Sequence, residues 1–291
     1  KLASRVTGID VILGGHTHDG MPKPSLVSNA GGKTLVINSG SNAKFLSVMD
    51  LDVRDGRVAD YRYRLLPIFA NLLPPDPQMA SFIETAREPF KQQLETVLAT
   101  TETTLYRRGN FIGTFDQVIV DAMMSVRGAD IAFSPGFRWG TSLLPGDAIT
   151  VEHVMDQTGI TYAKSTLNEM TGEMIKLVLE DIADNLFNPD PYYQMGGDMV
   201  RVGGLRYAID PVAPIGERLS DLELNGKPID PVRTYKVAGW ASVNPQPDDL
   251  PDIWDIVAEY LRDQKVIRDV TPNIPKVKGI AANPGFVAPG S

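Results

Sequence analysis

Apolar positions come in strand-like runs and alternations over the first seventy residues of this chain, then settle into helical spacing in several later stretches. "GIDVILGG" (8–15) is a short apolar run closed by two glycines, the pattern of a buried strand feeding a loop. "KTLVINSG" (33–40) repeats it. Residues 44–68 alternate on either side of Asp55-Gly56, which predicts a two-residue hairpin. The prolines of "NLLPPDP" (71–77) mark a linker, and Asp76 followed by Pro77 predicts a helix start. Met79, Phe82, Ile83, Ala86, Phe90, Leu94, Val97 and Leu98 then form a stripe predicting a helix over 76–98, kinked at Pro89. Further helices are predicted over 116–127 with a stop at Gly128, over 172–187 capped by Thr171, and over 252–264. "LSDLELNGKPID" (219–230) predicts a hairpin at Asn225-Gly226, and "TYKVAGWAS" (234–242) a strand. The chain is α+β, organised as 1–70, a linker and connecting helix over 71–99, and a second domain over 100–291 that ends in a Gly/Pro-rich tail.

Composition narrows the chemistry. With 291 residues and 43% hydrophobic content the chain is long enough for a substantial core. A net charge of −8 argues against nucleic acid or an anionic bilayer as partner. No apolar run approaches the roughly 20 residues of a membrane span, so no membrane insertion is expected. The absence of cysteine excludes a thiol nucleophile, thiolate-bound metal and disulfides. The chain opens at Lys1, one strand before its most chemically suggestive loop, so a further upstream part is expected.

That loop is "LGGHTHDG" (13–20). It holds two of only three histidines, His16 and His18. In an extended segment, residues i and i+2 point the same way, which would present both imidazoles to one side, with Asp19 as a further ligand or a partner to an imidazole. The same residues also read as a Gly-rich turn with hydrogen-bonded histidines. His153, alone in "TVEHVMDQ", reads as structural or surface.

The string "GIDVILGGHTHD" resembles the last metal motif of the dinuclear metallophosphoesterases, in the branch that contains the periplasmic 5'-nucleotidases. The resemblance implies that His16 and His18 each ligate one of two metals, and that the earlier ligand motifs lie outside this sequence. It implies that residues 1–70 are the terminal strands of an αββα sandwich, and that a 5'-nucleotidase-type α/β substrate-binding domain follows the helix. In that domain Arg107 or Arg108, in "LYRRGNF", and Arg138, in "FSPGFRWG", match anion-binding arginines. A guanidinium fits a tetrahedral oxyanion with two parallel hydrogen bonds. Each also reads as an ordinary ion-paired arginine. Trp240 reads as a pocket wall or as core.

Two base-stacking elements of the nucleotidases are altered here, at "DQTGITYAKS" (156–165) and "AGWASVNPQPDD" (238–249). Five motifs in order instead resemble the thiosulfohydrolase family of the bacterial sulfur-oxidation (Sox) system: "GGHTHDGMPKP", "YRRGNFIGTFDQ", "SPGFRWG", "DQTGITYA" and "YYQMGGDMVRVGGLRY". This implies a periplasmic hydrolase with two Mn²⁺ in the intact protein, and none necessarily held by these residues alone. The resemblance further implies release of sulfate from a cysteine S-thiosulfonate on a SoxYZ-type carrier protein, with Asp19 and Arg138 as catalytic candidates. The alternatives are a 5'-nucleotidase or related phosphomonoesterase, and a non-catalytic carrier-binding fragment.

Overall fold

The computed structural model describes residues 1–107, 109, 111–137, 140–195 and 197–279. The chain divides into two compact units, Lys1–Pro89 and Phe90–Ser291. The first unit holds α1 (Leu2–Arg5), β1 (Val11–Gly14), β2 (Ser25–Asn29), β3 (Gly32–Asn38), β4 (Phe45–Arg54), β5 (Arg57–Pro67) and α2 (Pro77–Arg87). β3 lies between a parallel β1 and an antiparallel β2. β4 and β5 form the expected hairpin, and Asp55 and Gly56 both take the left-handed conformation that a tight two-residue turn demands.

The Asp76 carboxylate caps α2, accepting from the Gln78 and Met79 N–H groups at 3.0 and 2.9 Å. Pro89 breaks the helix as expected: a 3-10 turn spans Glu88–Phe90, and α3 (Lys91–Leu94) follows. The expected helix then stops short. Val97 and Leu98 open β6 (Val97–Thr101), because the backbone there pairs with a neighbouring strand instead of continuing the helix. Met79, Phe82, Ile83 and Phe90 of the stripe remain exposed.

The second unit continues with α4 (Thr114–Arg127), β7 (Ile131–Ser134), β8 (Ala148–Thr150), α5 (Val151–Thr158), β9 (Ser165–Thr171) and α6 (Gly172–Phe187). It then runs through β10 (Arg201–Gly203), β11 (Leu205–Ile209), β12 (Leu219–Leu224), β13 (Lys227–Pro228), β14 (Thr234–Trp240), α7 (Ile253–Gln264), β15 (Val266–Ile267) and β16 (Lys276–Val277). Gly128 ends α4 in the left-handed conformation, and the Thr171 hydroxyl caps α6. The four-stranded sheet β10-β7-β14-β9 is central. Alternate residues of its strands face opposite sides. Ala132, Ala238 and Trp240 pack with residues of α4, α5 and α7, whereas Ile131, Tyr235 and Val237 pack with those of α6, β11 and β12. Two smaller sheets, β13-β12-β11-β16 and β15-β6-β8, complete the α+β unit.

The strand directions gather the loops. β7 and β14 run parallel and end at Ser134 and Trp240, while their antiparallel neighbours β10 and β9 begin opposite those residues, at Arg201 and Ser165. Segments 135–141, 156–164, 188–200 and 241–251 therefore meet the sheet at one edge. The carboxyl edge of a parallel pair is where α/β sheets commonly place ligands.

Asp121, half-buried on α4, accepts from Gln117 Nε2 at 2.8 Å, yet burial pushes its carboxyl above the usual range. A group whose native pKa is raised penalises folding wherever it is ionised and stops doing so below its unfolded pKa. Asp121→Asn is therefore expected to raise the thermal unfolding midpoint of the full-length protein near pH 7. The gain should shrink as the pH falls through Asp121's raised pKa toward about 4. A gain independent of pH would show that the Asp121 charge is not the cause.

Candidate active site

The histidine motif leaves β1 at the carboxyl end of the β1–β3 parallel pair. It is a turn, not the extended segment expected from the sequence. The His18 N–H donates to the Gly15 carbonyl at 3.2 Å, and His18 itself sits at φ 58°. The alternation argument for the two imidazoles therefore does not hold. What His16 and His18 share is one short turn, with His16 exposed and His18 half-buried. Among the described residues, neither ring hydrogen-bonds a neighbour. Asp19 is exposed, and its carbonyl accepts from the Gly40 N–H at 2.8 Å.

Among the described residues no group of three or more His, Asp or Glu side chains is placed to hold a metal ion. The turn nevertheless fits a share of one. Two neutral imidazoles suit a divalent transition metal. Asn38, 6% exposed, carries a buried Oδ1 with no hydrogen-bond partner beside the turn. His153 has a structural role: its Nδ1 accepts from the Thr150 N–H at 3.1 Å, closing the cap of α5.

At the gathered edge of the second unit lies a buried ion-pair network. Arg107 Nε contacts Asp116 Oδ1 at 2.7 Å, with both side chains fully buried. Arg107 also donates from Nη1 to the Gln157 carbonyl in the last turn of α5, and from Nη2 to the Pro135 carbonyl at 2.8 Å. A guanidinium at a helix C-terminus meets carbonyls that have no intrahelical donor. Burial lowers the Arg107 pKa and the Asp116 charge acts against that, so the guanidinium stays protonated. Asp116 Oδ2 accepts from the Gly113 N–H at 2.9 Å and lies 3.3 Å from Arg201 Nε. Arg201 in turn pairs with Asp198 at 2.9 Å.

Arg107 was matched to a substrate ligand by resemblance, but its guanidinium is turned inward and braces the loop after β7. Trp240, 6% exposed, is core: its Nε1 donates to Ser134 Oγ at 2.9 Å, its ring meets Phe137 edge-on, and Arg107 lies 5.9 Å from its centroid. Arg108 and Arg138 lie outside the described residues. The sequence reading missed Asp116, Arg201, Asp198 and Gln157. The signal at Arg201 was a charge embedded in the apolar run "MVRVGG", which requires a buried partner.

The glycines of "SPGFRWG" are accounted for. A Cβ at Gly136 would lie 2.6 Å from the Asp198 carbonyl oxygen, and one at Gly140, where φ is +99°, would collide with the Gln157 side chain. Gln157 Nε2 donates to the Thr141 carbonyl at 2.8 Å, and the Asp156 carboxylate accepts from the Thr141 N–H at 2.6 Å. The altered segment 156–165 thus holds the chain at Thr141, just after that motif.

Residues 95–245 match the family of 5'-nucleotidase C-terminal domains. The chain belongs to that family. A 5'-nucleotidase C-terminal domain is thus joined here to the histidine-bearing unit. The chain is 41% identical to the sulfate thiohydrolase SoxB of Thermus thermophilus, with a TM-score of 0.88, covering 96% of this chain and 52% of that one. A 5'-nucleotidase precursor from the same species shares the fold at 21% identity and a TM-score of 0.77, over 95% of this chain and 61% of that one. The trifunctional nucleotide phosphoesterase YfkN of Bacillus subtilis is 28% identical over 82% of this chain and 17% of its own length. The chain therefore corresponds to the C-terminal half of a SoxB-like protein and spans about half of that relative.

Asp116→Asn leaves Arg107 and Arg201 buried around a neutral amide. The expected cost is about 3–5 kcal/mol of stability in the C-terminal domain, measured by denaturant unfolding. A loss below about 1 kcal/mol would mean that the two guanidiniums find other counter-charges.

Proposed function

We propose that the full-length protein carrying this chain is a periplasmic thiosulfohydrolase, releasing sulfate from a cysteine S-thiosulfonate borne by a SoxYZ-type carrier. The observation that carries this reading is 41% identity over nearly the whole chain to a sulfate thiohydrolase, against 21% to a 5'-nucleotidase. The geometry supports it further. Trp240 is the one aromatic residue of segment 238–249, and with its ring in the core that segment offers no platform for a nucleobase. No helix among the described residues is long and apolar enough to cross a membrane.

His16 and His18 would hold two divalent metals, Mn²⁺ in this reading, together with ligands from outside this sequence. When bound, such ions lower the pKa of water enough to supply hydroxide near neutral pH. The new oxygen–sulfur bond forms at the terminal sulfur. The bond to the carrier's persulfide sulfur breaks, its electron pair stays with the carrier, and sulfate departs without net oxidation. Asp19 would orient an imidazole or take a proton. Arg138 would hold the sulfonate oxygens as charge grows on them. Arg107 at Pro135 and the end of α5 at Thr141 would hold the two ends of the segment that carries Arg138.

Arg138→Lys keeps the charge but loses the planar fork. It is expected to cost about 2–4 kcal/mol of transition-state stabilisation, roughly 30- to 1000-fold in rate. The assay compares sulfate release from the loaded carrier with phosphate release from adenosine monophosphate, using wild-type and variant full-length enzyme. Faster nucleotide turnover would establish the nucleotidase reading, which the relationship to YfkN favours. An unaffected lysine variant would remove Arg138 from the site. No turnover of either substrate would leave carrier binding as the function.

A further inference from the structure

The turn that bears the histidines is fastened to the rest of its unit at four residues. Asp19 and Met21 are held through the backbone, the Asp19 carbonyl by the Gly40 N–H and the Met21 N–H by the Asn38 carbonyl at 2.9 Å. Gly20 forms an isolated bridge with Ser39. A hydroxyl relay stands behind them: Ser39 Oγ lies 2.6 Å from Ser47 Oγ, Ser47 Oγ lies 2.8 Å from Tyr63 Oη, and Tyr63 donates to the Met21 carbonyl at 2.9 Å. Each hydroxyl has one proton to donate, so the Tyr63 bond sets the direction of the whole relay, from Ser39 through Ser47 to Tyr63.

The fourth attachment differs. It joins one side chain to another, and it is the one that falls between the two histidines. Asn38 Nδ2 donates to Thr17 Oγ1 at 2.9 Å. Asn38 is the last residue of β3 and stands in register with Gly14, where β1 gives way to the turn. A Cβ on Gly14 would lie 3.0 Å from the Ile37 carbonyl oxygen, so glycine lets β1 run close against β3 just beside Asn38. The Asn38 Oδ1 atom, buried and without a partner, gives this amide an acceptor to spare on the same side chain.

We propose that Asn38 is the positioning residue of the histidine turn: its bond to Thr17 sets the aim of His16 and His18 toward a divalent metal. This rests on the reading of that turn as a metal site. Residues that orient metal-binding histidines typically change affinity by 10- to 100-fold when removed. The test titrates metal-stripped full-length protein with Mn²⁺ by calorimetry. Asn38→Ala and Thr17→Val are each expected to weaken binding by roughly tenfold or more, and the double variant no further, because both remove one bond. Thr17→Ser keeps the hydroxyl and should bind as the wild type does. Thr17 is exposed, so its variants remain informative if Asn38→Ala does not fold. Wild-type affinity in Thr17→Val, with binding lost in His16→Ala, would overturn the positioning role and leave the metal reading intact. Unchanged Mn²⁺ binding in both His16→Ala and His18→Ala would overturn the metal reading, and this proposal with it.

Discussion

One carboxylate, Asp116, is shared by two buried guanidiniums, and the architecture of the loop edge depends on it. Its two oxygens hold Arg107 and Arg201, and it also caps the first turn of α4. Through Arg107 it reaches the end of α5 and the loop after β7, and through Arg201 it reaches Asp198 in the segment before β10. Two arginines and two aspartates balance, so the cluster brings no net charge into the interior. Such a network gives little net stability compared with apolar packing, but each member fixes the others, because removing any one strands a buried charge. We read it as a device for shape. It ties together the segments of Pro135, Gln157 and Asp198 at one sheet edge.

Much of the fold was legible because its signals are local. Asp55-Gly56 and Asn225-Gly226 occupy the left-handed conformations of two-residue turns, and Asp76, Thr171 and Gly128 cap the helices predicted from them. The misreadings arose where a distant partner decided the outcome. Val97 and Leu98 continue a helical stripe in sequence but are taken into β6 by pairing with β8. "GGHTHD" follows a strand, and of its extended and Gly-rich-turn readings the turn holds, because the Gly15–His18 hydrogen bond and the attachments to β3 bend it. Arg107 carries no mark distinguishing an arginine that binds an anion from one that braces a loop. Only Asp116, nine residues on, and the carbonyls of Pro135 and Gln157 separate the two.

The same contrast separates the two chemical features of the chain. The histidine turn has His16 exposed and His18 half-buried and is fixed mainly by backbone hydrogen bonds, an arrangement that tolerates exposure. The loop after β7 is held at Pro135 from within by the buried Arg107. Its Gly136 and Gly140 are needed because neighbouring chain segments press against it. A chain with a net charge of −8 thus keeps two of its cations as internal struts. Anion recognition, in the function proposed, falls to guanidiniums other than these two.

The most direct test of the metal assignment is diffraction from crystals of the full-length protein grown with Mn²⁺, with data collected at the manganese absorption edge. Two anomalous peaks are expected beside the turn after β1, one bonded to an imidazole nitrogen of His16 and the other to one of His18. A map in which both imidazoles face solvent, with no peak beside the turn or with peaks bound only by other residues, would contradict it.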